Sequence, residues 1–174
     1  VEVPFDVPCS TTAAPMTGPS SSCTTPLTPY PPWAEANALP KKMTDKDMVV
    51  VELSSFQLFS MKHSADVAVV TNVTPNHLDW HVDMNEYVEA KKRIFAFQNS
   101  SSLLVLNLDD EYSADFKKCA KGNIRTISGN TKDGDIYFTE EGIFENGTCL
   151  VKDNDIRIVG RHNRYNYAAA YSAV

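Results

Sequence analysis

Runs of consecutive apolar residues recur along the chain after Lys41, each followed by a polar turn or a helical pattern. An unbroken apolar run predicts a strand covered on both faces, because such a strand has no solvent-facing side chains and therefore no polar alternation. Four such strands are predicted, over 48–51, 66–72, 103–107 and 124–127. Helical periodicity predicts a short helix after Glu52 and longer helices over 84–97 and 111–120.

Residues 135–159 have a different pattern, in which short apolar runs alternate with turn residues. Asn146-Gly147 is a typical hairpin turn, so we predict an antiparallel meander with strands over 136–138, 142–144, 148–151 and 156–159. An Ala-rich helix is predicted from Arg161 onwards. The predicted fold class is a three-layer α/β domain, with a mainly parallel, Rossmann-like sheet and the added meander.

Residues 1–40 follow neither pattern. They contain nine of the ten prolines and none of the sixteen Lys and Arg residues. A segment of this kind cannot bury enough apolar surface to offset its ordering entropy, so neither helix nor strand is predicted and we expect disorder.

Composition narrows the function classes. At 174 residues the length suits one domain with a real core, and a net charge of −6 argues against a nucleic-acid partner held by a basic face. No apolar run has the length of a membrane span, and no signal peptide is recognised at the start. The four cysteines are scattered without metal-ligand spacing, so free thiols and a cytoplasmic location are expected.

Glu52 stands where the first predicted strand ends. Ligands of open α/β sheets bind at the carboxyl ends of strands, so this carboxylate is suited to Mg²⁺ or to a phosphate-bound Mg²⁺. The alternative is that Glu52 caps a helix that begins at Ser54.

His77 occupies a turn after the second strand, with Asp79 and His81 nearby. A histidine in such a place is commonly a surface or cap residue, but neutral imidazole is also a common metal ligand.

Lys91 lies in the apolar stripe of the helix predicted over 84–97. Either its ammonium reaches past the core into solvent, or it sits in a site that lowers its pKa. At the reference pKa near 10.4, roughly one lysine in 2,500 is neutral at pH 7, so only the second alternative permits nucleophilic or carbamate-forming chemistry.

The last candidate group follows Gly160, at the start of the Ala-rich helix. His162, Asn163 and Asn166 there offer hydrogen-bond donors to a phosphate, a ribose or a purine edge.

Four motifs occur in order along the chain: Glu52-Leu-Ser-Ser-Phe-Gln-Leu58, Thr71-Asn-Val-Thr-Pro-Asn-His-Leu-Asp79, Tyr87-Val-Glu-Ala-Lys-Lys-Arg-Ile-Phe95 and Gly160-Arg-His-Asn-Arg-Tyr-Asn-Tyr-Ala-Ala169. Together they resemble the central, ATP-binding domain of the Mur ligases, which has a P-loop-NTPase-type sheet. The Ser-Ser-Phe-Gln-Leu run is most similar to the D-glutamate-adding branch of that family.

The resemblance implies an ATP- and Mg²⁺-dependent amide ligase of peptidoglycan synthesis that works through an acyl phosphate. Its substrates would be UDP-N-acetylmuramoyl-L-alanine and D-glutamate, and a cytoplasmic monomer is implied. Other Mur ligases, or a non-catalytic nucleotide-binding or structural α/β fragment, are the alternatives.

The resemblance also implies residue roles. Glu52 matches a ligand of the ATP-bound Mg²⁺, and His77 and a carbamylated Lys91 match the second Mg²⁺ site. The matches on the substrate side are Ser54, Asn72 and Thr74. The matches on the nucleotide side are His162, Asn163 and Asn166.

The resemblance covers 40–174 and leaves 1–39 unmatched, in place of the phosphate-loop region. No G-x-x-x-x-G-K-[ST] sequence is present, and no lysine precedes Lys41. The chain by itself is therefore expected to be an inactive fragment without the flanking domains of the family. We hypothesise that 1–39 derive from a frame or assembly error or a decayed remnant, which predicts an exposed apolar face beside the Glu52 strand.

Overall fold

The computed structural model describes residues 12–16, 44, 47–75 and 81–174, the first five by their backbone alone. The chain forms two compact units, Val1–Met61 and Lys62–Val174. The predicted domain boundary at 39/40 stays a prediction, and the expected disorder of 1–40 lies almost entirely outside the described residues.

In the first unit, strands β1 (Thr12–Met16) and β2 (Met48–Glu52) pair antiparallel, with Thr12 opposite Glu52. The prediction that 1–40 contain no strand was therefore wrong. Pro15 lies within β1, where its missing N–H is tolerated because this strand pairs along one edge in the described part of the chain.

Strand β2 forms where the apolar run predicts it, but its burial was predicted wrongly. Its residues alternate between exposed and half-buried, and the Met48 and Val50 side chains are 52% and 49% exposed. Met48 and Val50 therefore form an exposed apolar face on the same side of β2 as Glu52. The hypothesis about the origin of 1–39 stays a prediction.

Helix α1 (Ser55–Phe59) follows β2 and begins with a capping box. Ser54 Oγ accepts a hydrogen bond from the Gln57 N–H, and Gln57 Oε1 accepts one from the Ser54 N–H. Because Ser54 is the cap, the alternative role of Glu52 as the helix cap is excluded.

In the second unit the described residues form a six-stranded sheet whose spatial order follows the chain. Its strands are β3 (Val67–Val70), β4 (Leu103–Asn107), β5 (Asn123–Ser128), β6 (Ile136–Phe138), β7 (Gly142–Glu145) and β8 (Thr148–Lys152). Strands β3 to β6 run parallel to one another, β7 pairs antiparallel with β6, and β8 pairs antiparallel with β7. The predicted fold class is confirmed.

The side chains of strand β4 alternate between two cores, one on each face of the sheet. Leu104 and Leu106 pack with Tyr87 and Phe116 on one face, whereas Val105 packs with Ala168 on the other. An apolar run without polar alternation is therefore what a strand between two helical layers requires.

Two helices cover the first of these faces, α2 (Met84–Lys92) and α3 (Glu111–Asp115). Asp83 caps α2, and its carboxylate accepts a hydrogen bond from the Glu86 N–H at 2.8 Å. Helix α2 ends at Lys92 rather than at Phe97, because the next residues turn more tightly through i→i−3 hydrogen bonds. Helix α3 likewise tightens into a 3₁₀ turn over Phe116–Lys118.

Helix α4 (Arg161–Ala173) covers the other face. The hairpin between β7 and β8 turns at Asn146 and Gly147, both with positive φ, as the Asn-Gly pair predicts. The predicted strand over 156–159 was wrong. A 3₁₀ turn over Asp153–Asp155 redirects the chain, and Arg164 Nε of α4 donates to Asp153 Oδ1 at 2.7 Å.

Candidate functional site

Glu52 lies at the carboxyl end of β2 with its side chain exposed, and Ser54 follows it as the cap of α1. Beside them, Gln57 is buried, and its Nε2 has no hydrogen-bond partner among the described residues. An unsatisfied buried amide donor is costly, so this atom is a candidate ligand contact that the sequence patterns did not single out.

Asn72 and Thr74 are both exposed and flank the buried Val73 just beyond β3. The Val73 N–H donates to Asp110 Oδ2 at 3.2 Å, and Asn107 Nδ2 donates to the Thr71 carbonyl at 2.8 Å. These bonds fasten the segment after β3 to the end of β4, so Asn72 and Thr74 are held at the carboxyl edge of the parallel sheet. The predicted metal ligand His77 lies outside the described residues.

Lys91 is half-buried on α2, and its Nζ lies 5.7 Å from the centre of the Tyr87 ring. Burial raises the pKa of the Tyr87 hydroxyl. His81 is buried against the edge of the same ring, with its Nδ1 3.4 Å from Glu86 Oε2. Lys91 and His81 therefore both lie against the Tyr87 ring.

The next residue of α2, Lys92, is bound to a carboxylate. Its Nζ donates to Glu89 Oε1 at 2.6 Å, and this hydrogen bond raises the pKa of Lys92 above its ordinary value. A lysine bound to a carboxylate is held in its charged form, so Lys92 is unsuited to chemistry that needs a neutral amine.

His162, Asn163 and Asn166 all lie in the first two turns of α4. Asn163 Nδ2 donates to the Val159 carbonyl at 2.8 Å, and Asn166 Nδ2 donates to Asn163 Oδ1 at 3.4 Å. The predicted nucleotide-side residues are thus brought together. His162 and Asn166 are exposed.

Asp109, just after β4, is the centre of a network that the sequence patterns did not reveal. Its carboxylate accepts hydrogen bonds from Ser128 Oγ at 2.8 Å, the Gly129 N–H at 2.5 Å, the Asn130 N–H at 3.2 Å and the Tyr165 hydroxyl at 2.7 Å. Partial burial tends to raise the pKa of Asp109, but these donors together outweigh it and hold the pKa below its ordinary value. The acidic pair Asp109-Asp110, which follows a buried strand, was the sequence signal that could have pointed to this network.

Comparison with known proteins identifies the family to which the chain belongs. A family model described as "Mur ligase middle domain" matches residues 28–174. The chain belongs to this family. The match begins at residue 28, before the predicted start of the resemblance at 40.

Relatives of this Mur ligase domain carry more specific names. The chain is 44% identical over 135 residues to the UDP-N-acetylmuramoylalanine–D-glutamate ligase of Clostridium perfringens, covering 77% of this chain and 30% of the relative. It is 48% identical over 130 residues to the ligase of the same name from Clostridium beijerinckii, covering 74% and 28%. The chain thus spans less than a third of the length of these relatives.

Solved structures agree on the fold. A UDP-N-acetylmuramoyl-L-alanyl-D-glutamate–2,6-diaminopimelate ligase matches with a TM-score of 0.50 at 25% identity, over 68% of this chain and 27% of that one. MurF from Acinetobacter baumannii matches with a TM-score of 0.53 at 19% identity, over the same shares of the two chains.

Within this Mur ligase domain, convergence of the predicted metal ligands stays a prediction. Glu52 belongs to the first unit, Lys91 to the second, and His77 lies outside the described residues. No group of three or more His, Cys, Asp or Glu side chains suited to a metal occurs among the residues that the structure describes. The exposed Glu52 carboxylate has the oxygen ligands that Mg²⁺ prefers.

Two further findings concern the described helices and cysteines. None of the described helices is long and apolar enough to cross a membrane. Cys119 and Cys149 are free thiols, as predicted.

Proposed function

We propose that this chain is part of an ATP-dependent ligase that adds D-glutamate to UDP-N-acetylmuramoyl-L-alanine in peptidoglycan synthesis. The observation that carries the proposal is 44–48% identity to two relatives named for that reaction. The Ser-Ser-Phe-Gln-Leu run of α1 supports the same branch of the family. A bacterial cytoplasmic location and a monomeric state belong to the proposal.

Glu52, His77 and Lys91 are the residues that would hold Mg²⁺ in this proposal. When bound with ATP, Mg²⁺ supplies charge neutralisation for phosphoryl transfer. The contribution of Glu52 is an exposed carboxylate directly after β2. His77 would supply an imidazole nitrogen, and Lys91 would supply carbamate oxygens in place of its ammonium.

The surroundings of Lys91 support its role as the carbamylated residue. Carbamate formation needs a neutral amine, and Lys91 is half-buried with its Nζ 5.7 Å from the centre of the Tyr87 ring. Lys92, which lies on the same helix and is hydrogen-bonded to Glu89, is a matched control.

This role can be tested without activity. In ¹³C-bicarbonate buffer near pH 8, NMR of the chain should show a carbamate carbon signal that Lys91→Arg removes and Lys92→Arg leaves in place. A signal that survives Lys91→Arg would assign the carbamate elsewhere and overturn the role of Lys91.

Ser54, Asn72 and Thr74 are proposed for the muramoyl substrate. For ATP, we propose His162, Asn163 and Asn166 as contacts to the nucleoside. Gln57 Nε2 joins the substrate side, because it is a buried donor without a partner in the described part of the chain.

Because the sequence has no phosphate-loop motif, we propose that this chain alone has no ligase activity. A purified sample should release no phosphate from ATP above background when D-glutamate and UDP-N-acetylmuramoyl-L-alanine are present. The deciding experiment resequences the source locus and expresses its intact reading frame in a bacterium with conditional loss of the D-glutamate-adding ligase.

Growth should be restored in that strain and not in a strain lacking the diaminopimelate-adding ligase. Rescue of the second strain alone would establish another Mur ligase. Rescue of neither, with folded protein present, would favour a non-catalytic nucleotide-binding or structural fragment. An uninterrupted frame that encodes residues 1–39 within an ATP-hydrolysing protein would overturn the hypothesis of a frame or assembly error.

A further inference from the structure

Helix α4 carries the proposed nucleotide-side residues, yet its start lacks the usual local support. Its N-cap residue Gly160 has a φ of 110° and no side chain to cap the helix. The first turn contains Arg161 and Arg164 and no acidic residue, which is unfavourable beside the positive end of the helix dipole. Contacts from elsewhere in the fold must therefore fix this turn.

Two such contacts converge on the loop that follows β5. Arg161 Nη2 donates to the Gly129 carbonyl at 2.9 Å and to Asn130 Oδ1 at 2.6 Å. The backbone N–H groups of the same two loop residues donate to the Asp109 carboxylate, which also accepts the Tyr165 hydroxyl. The loop, the end of β4 and the start of α4 are thus tied by one set of bonds.

Aromatic packing strengthens the same junction. The Arg161 guanidinium lies 5.4 Å from the centre of the Phe138 ring and 5.9 Å from that of Tyr165, and the two rings meet edge to face. A planar guanidinium held by two hydrogen bonds and two rings has little freedom to move.

Helical geometry separates these anchors from the proposed ligand-facing side chains. At about 100° per residue, positions 161 and 165 share the side of α4 that carries the buried Ala168. Positions 162, 163 and 166 project from another side of the same two turns. The anchors can therefore set the place of Asn163 and Asn166 without touching a ligand.

We infer that Asp109, Tyr165 and Arg161 are positioning residues for the nucleotide-side amides of Asn163 and Asn166. Asp109 acts as the hub that ties the first two turns of α4 to the carboxyl ends of β4 and β5. The inference rests on the proposed nucleotide role of these asparagines and adds the residues that orient them.

The test titrates the chain with adenosine, which needs no phosphate loop, and follows the side-chain amide signals of Asn163 and Asn166 by NMR. Tyr165→Phe removes one hydroxyl and keeps the ring, so the core should stay folded. We expect about tenfold weaker adenosine binding and displaced Asn163 and Asn166 signals, because a bond to a charged acceptor is lost.

Asp109→Asn should weaken binding at least as much, because it removes the charge of the acceptor of all four hydrogen bonds. The double variant should be little worse than Asp109→Asn alone, because the Tyr165 bond is one of those four. Asp133→Asn is the matched control, with the same charge change at an exposed position of the loop after β5. It should bind adenosine like the unaltered chain. Hydrogen exchange of the β4 amides provides the folding readout and should be unchanged in Tyr165→Phe.

A wrong nucleotide role and a wrong positioning role would give different results in this test. If adenosine leaves the Asn163 and Asn166 signals of the unaltered chain unmoved, the nucleotide role is wrong and the inference falls with it. If the unaltered chain responds and Tyr165→Phe responds equally, the nucleotide role stands and the positioning role is overturned.

Discussion

Strands β2 and β4 have nearly the same sequence character and opposite environments. Each has four apolar residues followed by one polar residue, Met48–Glu52 in one and Leu103–Asn107 in the other. In β4 the residues Leu104, Val105 and Leu106 are fully buried between two helical layers. In β2 every second side chain is exposed, and the strand pairs antiparallel with β1.

The comparison shows that an apolar run predicts a strand more reliably than it predicts what covers the strand. Strand β4 has α2 and α3 on one side and α4 on the other. The acids that follow the two strands differ in the same way, since Asp109 accepts four hydrogen bonds and the Glu52 side chain is exposed.

The largest expected effect comes from truncating the buried strand. Val105→Ala should lower the free energy of unfolding by about 2–4 kcal/mol, because it removes two buried methyl groups and leaves a cavity. Urea denaturation followed by circular dichroism measures it. A loss below about 1 kcal/mol would contradict the double-sided burial of β4.

The second-largest effect is expected from the acids at the ends of the two strands. Asp109→Asn should cost about 1.5–3 kcal/mol, since donors from β5, the following loop and α4 lose a charged acceptor. The same change at the other strand, Glu52→Gln, should stay within about 0.5 kcal/mol. Urea denaturation measures both variants. Equal losses in the free energy of unfolding would contradict the different roles of Asp109 and Glu52.

A smaller effect is the pH dependence that Asp109 contributes. Its pKa is lowered in the folded protein, so its contribution is full above the ordinary aspartate value near 3.9 and is lost as pH falls through the folded value. The stability gap between the unaltered chain and Asp109→Asn should therefore be constant from pH 7 to 5 and narrow below about pH 4. A gap that widens on acidification would show that the pKa of Asp109 is raised instead.

The smallest effect is expected at the exposed strand. Val50→Ala repeats the Val105 truncation on a half-exposed residue and should change the free energy of unfolding by less than about 0.5 kcal/mol. Amide exchange in β2 gives a local measurement of the same change. A loss comparable to that of Val105→Ala would mean that Val50 is covered in solution.

Local signals predicted most of the second unit correctly. The strand Leu103–Asn107, the Asn146-Gly147 hairpin turn and the start of the last helix at Arg161 were all predicted. The main exception was 156–159, where the β-like apolar pattern does not form a strand because the chain turns through the 3₁₀ turn Asp153–Asp155. Such a change of direction leaves no signal in the apolar pattern.

The candidate site also has a part that the sequence predicted and a part that it did not. Its members were chosen from motifs, and Asn163 and Asn166 do lie together because one helix carries both. The Asp109 network escaped prediction because its donors are side chains of β5 and α4 and backbone N–H groups of the loop after β5, which only the folded sheet brings together.

By itself, the sequence determined the family, the α/β class and the identity of the candidate ligands, because motif order and hydrophobic period are properties of the chain. Tertiary structure alone decided which apolar strand is covered on both faces and which strand-end acid becomes a hub. The physical reason is that burial and hydrogen-bond acceptance depend on neighbours supplied by distant segments. Val105 is buried between helical layers and Val50 is not, although the two residues are chemically identical.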